Sequence, residues 1–381
     1  MSKKLTFQEK ILTRIKKDKK STNKHVWIGL LITFLFIAGF ETFYKQPVPE
    51  AEENTSEFRA TFVGDMMFGR HVTDVIEKNG TPFLFEKVAP YFQSSDYVTG
   101  NFENAVTLSS EEEYTLLDKS IHLQSDESPV TTLKNMNFTN VNLANNHSMD
   151  YGEKGLKDTI KTMQNEGLSY VGAGENIEEA QTIDYQEVKG LTVATLGIND
   201  VPVAGSPALK YRAGVAEADP EDFLPLVKEA ESNADMVMVH VHWGAEYDNE
   251  PHPRQRDMAK AIVDAGADVI IGHHPHVLSP VEVYKDSVIF YSLGNFIFDQ
   301  GWSRTRDSAL VQYDLQEDGT GRFEILPMRI REARPSLTEN PYNTKKIFFQ
   351  LTRDMPEETF KEENGKLVFE VDHSSILDQK E

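Results

Sequence analysis

The sequence has 381 residues, of which 39% are hydrophobic and 26% charged, so it holds enough apolar material for a large core and does not read as disordered. A formal net charge of -22 disfavours nonspecific contact with nucleic acid or an anionic surface, and no nucleic-acid partner is expected. The absence of cysteine excludes disulfides, thiolate nucleophiles and Cys-type zinc sites, which leaves His, Asp, Glu and Asn as the available metal ligands.

Residues 1–25 reverse the overall charge: they hold nine Lys or Arg against only Glu9 and Asp18. The unbroken apolar run Val26–Phe40 follows, and extended through Tyr44 it gives roughly 28 Å of helix at ~1.5 Å per residue, just enough for a bilayer. Lys16, Lys17, Lys19, Lys20 and Lys24 precede it, so the positive-inside rule predicts a single pass with the N-terminus cytoplasmic and the rest outside. A cleaved signal peptide and a buried core helix are the competing readings. The long basic flank and the lack of a small-x-small site after Phe40 favour an uncleaved anchor over 26–44. Residues 45–57 read as an acidic linker, and the folded domain is expected from Phe58.

From Phe58 the chain alternates short β-branched or aromatic runs with amphipathic stretches, the pattern of a layered α/β fold. Strands are predicted over Phe58–Val63, Tyr97–Thr99, Thr139–Leu143, Tyr170–Gly172, Leu191–Gly197, Met236–His242, Asp268–Ile271 and Val288–Ser292. Helices are predicted over Leu84–Phe92, Ser128–Met136, Glu153–Asn165, Pro220–Glu231 and Gln255–Ala265. Asp307–Gln316 and Arg322–Arg329 read as closing strands of a domain spanning 58–334, with 335–381 as a C-terminal extension.

Several of these strands run directly into polar, metal-capable residues, and in open α/β sheets ligands bind beyond the carboxyl ends of strands. His273, His274 and His276 follow the run Val269–Ile271, and three imidazoles in four positions are hard to explain as core histidines. In Val237–Glu246, His240 and His242 share a strand face; His242 is the candidate ligand and His240 reads as a satisfied core residue. Asn146 and His147 stand side by side after another strand, as a metal ligand and a group facing a leaving group, with an Asn-rich turn as the bland alternative. Asp65 and Glu103, from separate strands, are candidate carboxylate ligands. Arg304 and Arg306 are either an anion-gripping pair or a solvated turn.

The ordered segments GDMM, GNFE, ANNHSMDYG, HWGAEYD, AGADVIIGHHPHV and YSLGNFIFDQG span nearly the whole chain, and together they resemble the capsule-synthesis CapA family. That family is similar to the calcineurin-like metallophosphoesterases. The resemblance implies a four-layer α-β-β-α sandwich, with one or two divalent ions (Mn, Fe or Zn) held by Asp65, Glu103, Asn146, His242, His273, His274 and His276. It implies His147 and Asp150 as catalytic residues, and Asn101, Arg70, Asn295, Arg304 and Arg306 as substrate contacts. It also implies a membrane-bound extracellular subunit of a poly-gamma-glutamate synthase that works with other subunits on an anionic polymer or phosphorylated ligand. One position departs from the superfamily pattern: Met67 stands where an Asp-x-His motif has its histidine, and a thioether is a poor ligand for such ions. A metal-dependent phosphoesterase and a non-catalytic scaffold with a vestigial site therefore both remain open. No Walker-type glycine loop is present, so amide formation falls to a partner.

Overall fold

The computed structural model describes residues 5–43, 53–201, 203–301, 304–338 and 340–378. Two compact units are present, Met1–Val48 and Pro49–Glu381. In the first, helix Phe7–Asp18 opens on a capping box in which Thr6 and Glu9 satisfy each other's backbone N–H, and helix Thr22–Phe43 carries the apolar run. Among the described residues no helix is long and apolar enough to cross a membrane, so the expected span over 26–44 is not shown. Tyr44 and most of the linker lie outside the described residues.

The second unit is a mixed α/β sandwich of two large sheets. From edge to edge the first runs Phe360–Glu363, Lys366–Asp372, Thr320–Arg331, Asp307–Leu315, Phe58–Met66, Tyr97–Phe102, Asn140–Asn142 and Ser169–Val171. Asn295–Ile297 also pairs with Phe58–Met66, and Arg334–Leu337 with Thr320–Arg331. The second runs Val281–Tyr284, Ser287–Phe290, Val269–His273, Met236–His242, Leu191–Asn199 and Asp184–Val188. Residues after Arg334 belong to this architecture: Lys366–Asp372 extends the first sheet, and Ile347, Phe348 and Leu351 of helix Pro341–Thr352 join the inter-sheet core.

Three buried clusters separate the layers. Phe58, Ala60 and Phe62 meet Met236, Met238, Val269 and Ile271 between the sheets. Val237, Val239 and Val241 pack instead against Phe223, Val227, Met258 and Ile262 of helices Pro220–Asn233 and Pro253–Asp264. On the other outer face, Leu156, Ile160 and Met163 of helix Gly152–Glu166 cover the first sheet, and Gly167 closes that helix in the left-handed region at φ 64. The predicted helix Leu84–Phe92 is corrected: the chain makes a 3-10 turn over Thr81–Leu84 and a short helix over Ala89–Gln93. Pro90 explains the late start, since its ring suits the first turn of a helix and not the interior.

The two-residue period of a strand governs where the site forms. Along Met236–His242, residues 236, 238, 240 and 242 share the inter-sheet face, so the layer turns from Met to His toward the carboxyl end. Tyr97, Thr99 and Asn101 follow the same course opposite them: the Tyr97 hydroxyl lies 2.7 Å from Thr195 Oγ1, and Thr99 Oγ1 lies 2.9 Å from His240 Nε2. In Phe58–Met66 the pairing register shifts between Phe62 and Asp65. A one-residue offset moves a side chain to the other face, and here it brings Asp65 onto the face that Phe62 occupies. Gly64 makes this possible, because a Cβ there would sit 1.9 Å from the Gly294 carbonyl oxygen.

Candidate metal centre

Asp65, Glu103 and His242 are fully buried at the carboxyl ends of their strands, and each offers a ligand atom such that all lie within 4.8 Å of one another. Asn101 Nδ2 ties the carboxylates together, donating to Asp65 Oδ1 at 2.9 Å and to Glu103 Oε2 at 3.1 Å. Asn142 and Asn145 donate in turn to Asn101 Oδ1, at 3.0 and 3.1 Å, and fix which way that amide points. Asn146 Oδ1 lies 3.0 Å from His242 Nε2, which brings the Asn-rich turn onto the second sheet.

The His273–His276 segment divides its roles. His273 turns inward, with Nδ1 3.3 Å from Asp65 Oδ1 and Nε2 2.9 Å from His240 Nδ1. His276 Nδ1 lies 3.1 Å from Asp65 Oδ2, and its Nε2 lies 3.7 Å from Glu103 Oε1. The His274 ring sits 4.8 Å from that of His242, and its buried Nδ1 has no hydrogen-bond partner. His274 (φ 94) and His276 (φ 57) both hold positive φ, a conformation worth roughly 1–3 kcal/mol of strain per residue that persists where surroundings enforce it. Here the His274 N–H reaches Asp65 Oδ2 at 3.3 Å, and the Pro275 carbonyl accepts from the Tyr247 N–H at 2.8 Å.

Burial sets the electrostatics. It pushes the Asp65 carboxyl up, but His273 and His276 outweigh it and hold the group well below the usual carboxylate range. Burial and the Asp65 charge together drive Glu103 well above its ordinary value. His276 is lifted to about 9, because Glu103 and Asp65 overcome the opposing effect of burial. Burial, aided by the His276 charge, lowers His274 to about 3, and burial likewise holds His242 well below an ordinary imidazole. Glu103 Oε1 is buried with no hydrogen-bond partner. Two convergent carboxylates, one with an oxygen that no hydrogen bond satisfies, beside the His242 and His274 imidazoles that burial keeps neutral, form a donor set that could hold a metal ion.

Beside this cluster, His147 Nδ1 lies 2.7 Å from Asp150 Oδ2, and burial outweighs the carboxylate to lower the imidazole. The carboxylate fixes the ring with its proton on Nδ1 and leaves Nε2 as the basic nitrogen. Lys119, which the motifs did not single out, donates to Asp150 Oδ1 and to the Asn146 carbonyl, both at 2.7 Å. It comes from an irregular segment whose sequence carries no spacing signal.

The remaining candidates lie elsewhere. Arg70 forms a two-nitrogen ion pair with Asp299 and lies 5.5 Å over the Phe298 ring, which itself packs 4.7 Å from the His276 ring. Asn295 pairs with Asp65 in the sheet, but its amide donates to Gln300 and to the Thr305 carbonyl, so it braces the following loop. Arg304 and Arg306 are exposed, and neither hydrogen-bonds to a residue of the cluster among those described. Met67 turns away from the centre into the core beneath the outer helices, and its sulfur accepts the Gly69 N–H at 3.0 Å.

The family described as "Bacterial capsule synthesis protein PGA_cap" matches residues 59–300. This chain belongs to that family. The match covers every residue of the cluster. The PGA biosynthesis protein CapA of Bacillus subtilis (strain 168) is 50% identical over 383 residues, covering 100% of both chains. The capsule biosynthesis protein CapA of Bacillus anthracis is 45% identical over 386 residues, covering 100% of this chain and 94% of its own. Among solved structures, a 5'-nucleotidase precursor from Thermus thermophilus is similar over 78% of this chain and 59% of its own, at 14% identity and a TM-score of 0.44.

Proposed function

We propose that this chain is a membrane-anchored, extracellular component of a poly-gamma-glutamate capsule synthesis and export system, with a divalent-metal site on its outer domain. Family membership and the names of its CapA relatives support the capsule role. The apolar run Val26–Phe40 behind a lysine-rich flank supports the anchor, and Trp27, Leu31 and Phe34 are exposed on its helix. The observation that carries the metal site is the convergence of buried Asp65, Glu103 and His242 around Glu103 Oε1, which no hydrogen bond satisfies.

Asp65, Glu103, Asn146, His242, His274 and His276 would hold the ion, and His273 stands behind Asp65. A bound divalent ion would supply Lewis-acid stabilisation to an anionic substrate. His147 offers Nε2 at the edge of the cluster for moving a proton to or from a leaving group, and Asp150 and Lys119 keep its ring oriented. The chain carries no nucleotide-phosphate loop for activating a carboxyl group, so other subunits of the system make the amide bond. A second reading, a scaffold with an idle site, is favoured by Met67, which removes one expected ligand from the centre.

Complementation separates the two. A His147→Ala chain should reach the membrane and retain metal but yield less secreted polymer, because losing a general acid slows a step by roughly 10²–10⁴-fold. Wild-type polymer from His147→Ala, alongside none from a strain lacking the protein, would leave the scaffold standing. Protease treatment of wall-stripped cells checks the topology, and survival of the intact chain would refute it.

A further inference from the structure

The chain is acidic: removing the +7 of residues 1–25 from the net -22 leaves -29 on the rest. Four short segments reverse this locally. Residues 86–87, 304–307, 329–334 and 345–346 carry eight Lys or Arg against Glu86, Asp307 and Glu332. The fold brings them together in one band. Asp307 and Arg329 are register partners and an ion pair, and Lys346 of helix Pro341–Thr352 reaches the same carboxylate at 2.5 Å. The Ile330 N–H donates to the Arg306 carbonyl at 2.9 Å, which sets the Arg304–Arg306 turn beside Arg331. Arg331 stands directly opposite Arg334 in the next strand pair, and Arg334 pairs with Glu86 at 2.5 Å.

The acids of the band are already engaged, Asp307 by two cations and Glu86 by one. Among the described residues Arg304, Arg306, Arg331, Lys87 and Lys345 have no carboxylate partner, and all but half-buried Lys87 are exposed. Like charges directly opposite in a strand pair, as Arg331 and Arg334 are, repel and destabilise. Lys87 registers the crowding: burial, then the Arg334 charge, then that of Arg331, hold its amine below the ordinary lysine value despite Glu86. Cations that repel one another and meet too few internal acids are stabilised by an anion from outside. Arginine forks match carboxylates bidentately.

The band starts beside the metal centre. Asn295, the sheet partner of Asp65, donates to the carbonyl of Thr305 at 3.2 Å. Phe58 pairs with Leu315 and Val63 with Leu310, so Asp307 lies beyond the far end of the strand that the chain enters at Phe58. That end points away from the entry of the linker, which favours a soluble chain over the anchoring membrane as the anion. Tyr342 and Phe349, 76% and 70% exposed, flank Lys345 at helical spacing and offer apolar surface to methylenes between charges.

We propose that this band is a docking track for a linear polycarboxylate, which it leads to the metal-centre end of the domain. The identity of the ligand as gamma-linked polyglutamate rests on the capsule reading; the track itself does not.

The test uses the full-length chain in phosphatidylcholine vesicles, with poly-gamma-glutamate as the probe and acetylation of lysines as the readout. Polymer should protect Lys345 and Lys87. The triple variant Arg306→Glu, Arg331→Glu, Lys345→Glu changes exposed side chains only, and about tenfold more polymer should then be needed to protect Lys87. Lys228→Glu, exposed on helix Pro220–Asn233, should leave that protection unchanged. Protection confined to the lysines of residues 1–25, or equal protection of Lys87 in wild type and triple variant, overturns the proposal. Protection by phosphatidylglycerol added to the vesicles, with none from polymer, overturns it in favour of a membrane surface. Normal polymer secretion by a strain lacking the protein would defeat the capsule reading instead, and the footprint would still decide whether the band takes a polycarboxylate.

Discussion

Asn146 Oδ1 and His242 Nε2 lie 3.0 Å apart, although the two residues stand 96 positions apart in the chain. The contact joins the turn that follows Asn140–Asn142 of the first sheet to the last residue of Met236–His242 in the second, so the centre depends on both sheets keeping their relative register. Replacing His242 by Ala removes one of the three buried donors that converge there. The expected outcome is a fall in bound Mn, Fe or Zn of at least about tenfold with the circular dichroism spectrum retained, measured by elemental analysis of wild type and variant side by side. Equal metal in the two proteins would mean that the cluster is not the binding site.

Lys119 ties the His147–Asp150 pair to the backbone of Asn146. Lys119→Met leaves Asp150, which is fully buried, without its cation, though Leu123 N and His147 Nδ1 still approach Oδ2, each at 2.7 Å. Removing one partner of a buried pair costs more than the pair contributes, and with Lys119 keeping 16% side-chain exposure the expected loss is about 2–3 kcal/mol. Urea titration measures it. The double variant Lys119→Met, Asp150→Asn should recover part of that loss, because the orphaned charge is gone; additive losses would contradict the pairing.

Legibility in the sequence followed physical locality. The apolar runs located Phe58–Met66, Tyr97–Phe102, Met236–His242 and Val269–His273 because each strand buries continuous surface, and their polar ends marked the centre. Period two predicted correctly that His240 and His242 share a face. It could not reveal the register shift before Asp65, which arises from pairing with Tyr97–Phe102 and Asn295–Ile297 and has no local signature. Lys119 was invisible for the same reason, since its partners are 27 to 31 residues away across an irregular segment. Arg304 and Arg306 carried a suggestive spacing, yet the fold leaves both exposed.

Gly64 tests that non-local origin of the site. Gly64→Ala would place a methyl 1.9 Å from the Gly294 carbonyl oxygen, against the strand pairing in which the Asp65 N–H donates to that same oxygen at 3.0 Å. The backbone cannot yield as a flexible side chain would. The expected cost is about 3 kcal/mol, the upper end for an added core methyl, accompanied by weaker metal binding because Asp65 moves with the strand. Denaturation midpoints and Mn2+ titration check the two parts. A variant as stable as wild type would show that the bulge relaxes freely.

His373 provides a pH test remote from the centre. Its ring is buried between Tyr313, whose hydroxyl lies 2.7 Å from Nδ1, and the Asp286 carbonyl 2.9 Å from Nε2. A carbonyl only accepts, so Nε2 carries the proton and Nδ1 accepts from the phenol. Burial lowers this imidazole below its ordinary value of 6.5, outweighing the Asp286 and Asp372 contributions that raise it. The unfolded chain therefore takes up a proton near pH 6.5 while the folded chain does not. It follows that stability from His373 is present above that pH and is lost as pH falls through the window between the ordinary and the lowered value. Buried His147, His240, His242 and His274 are lowered too and contribute in the same direction, whereas His276 is raised and opposes them, so the informative quantity is a difference. His373→Asn should be less stable than wild type at about pH 7.5, and the gap between their urea midpoints should narrow steadily on acidification to about pH 5. A gap that stays constant across that range would assign His373 a packing role without proton linkage.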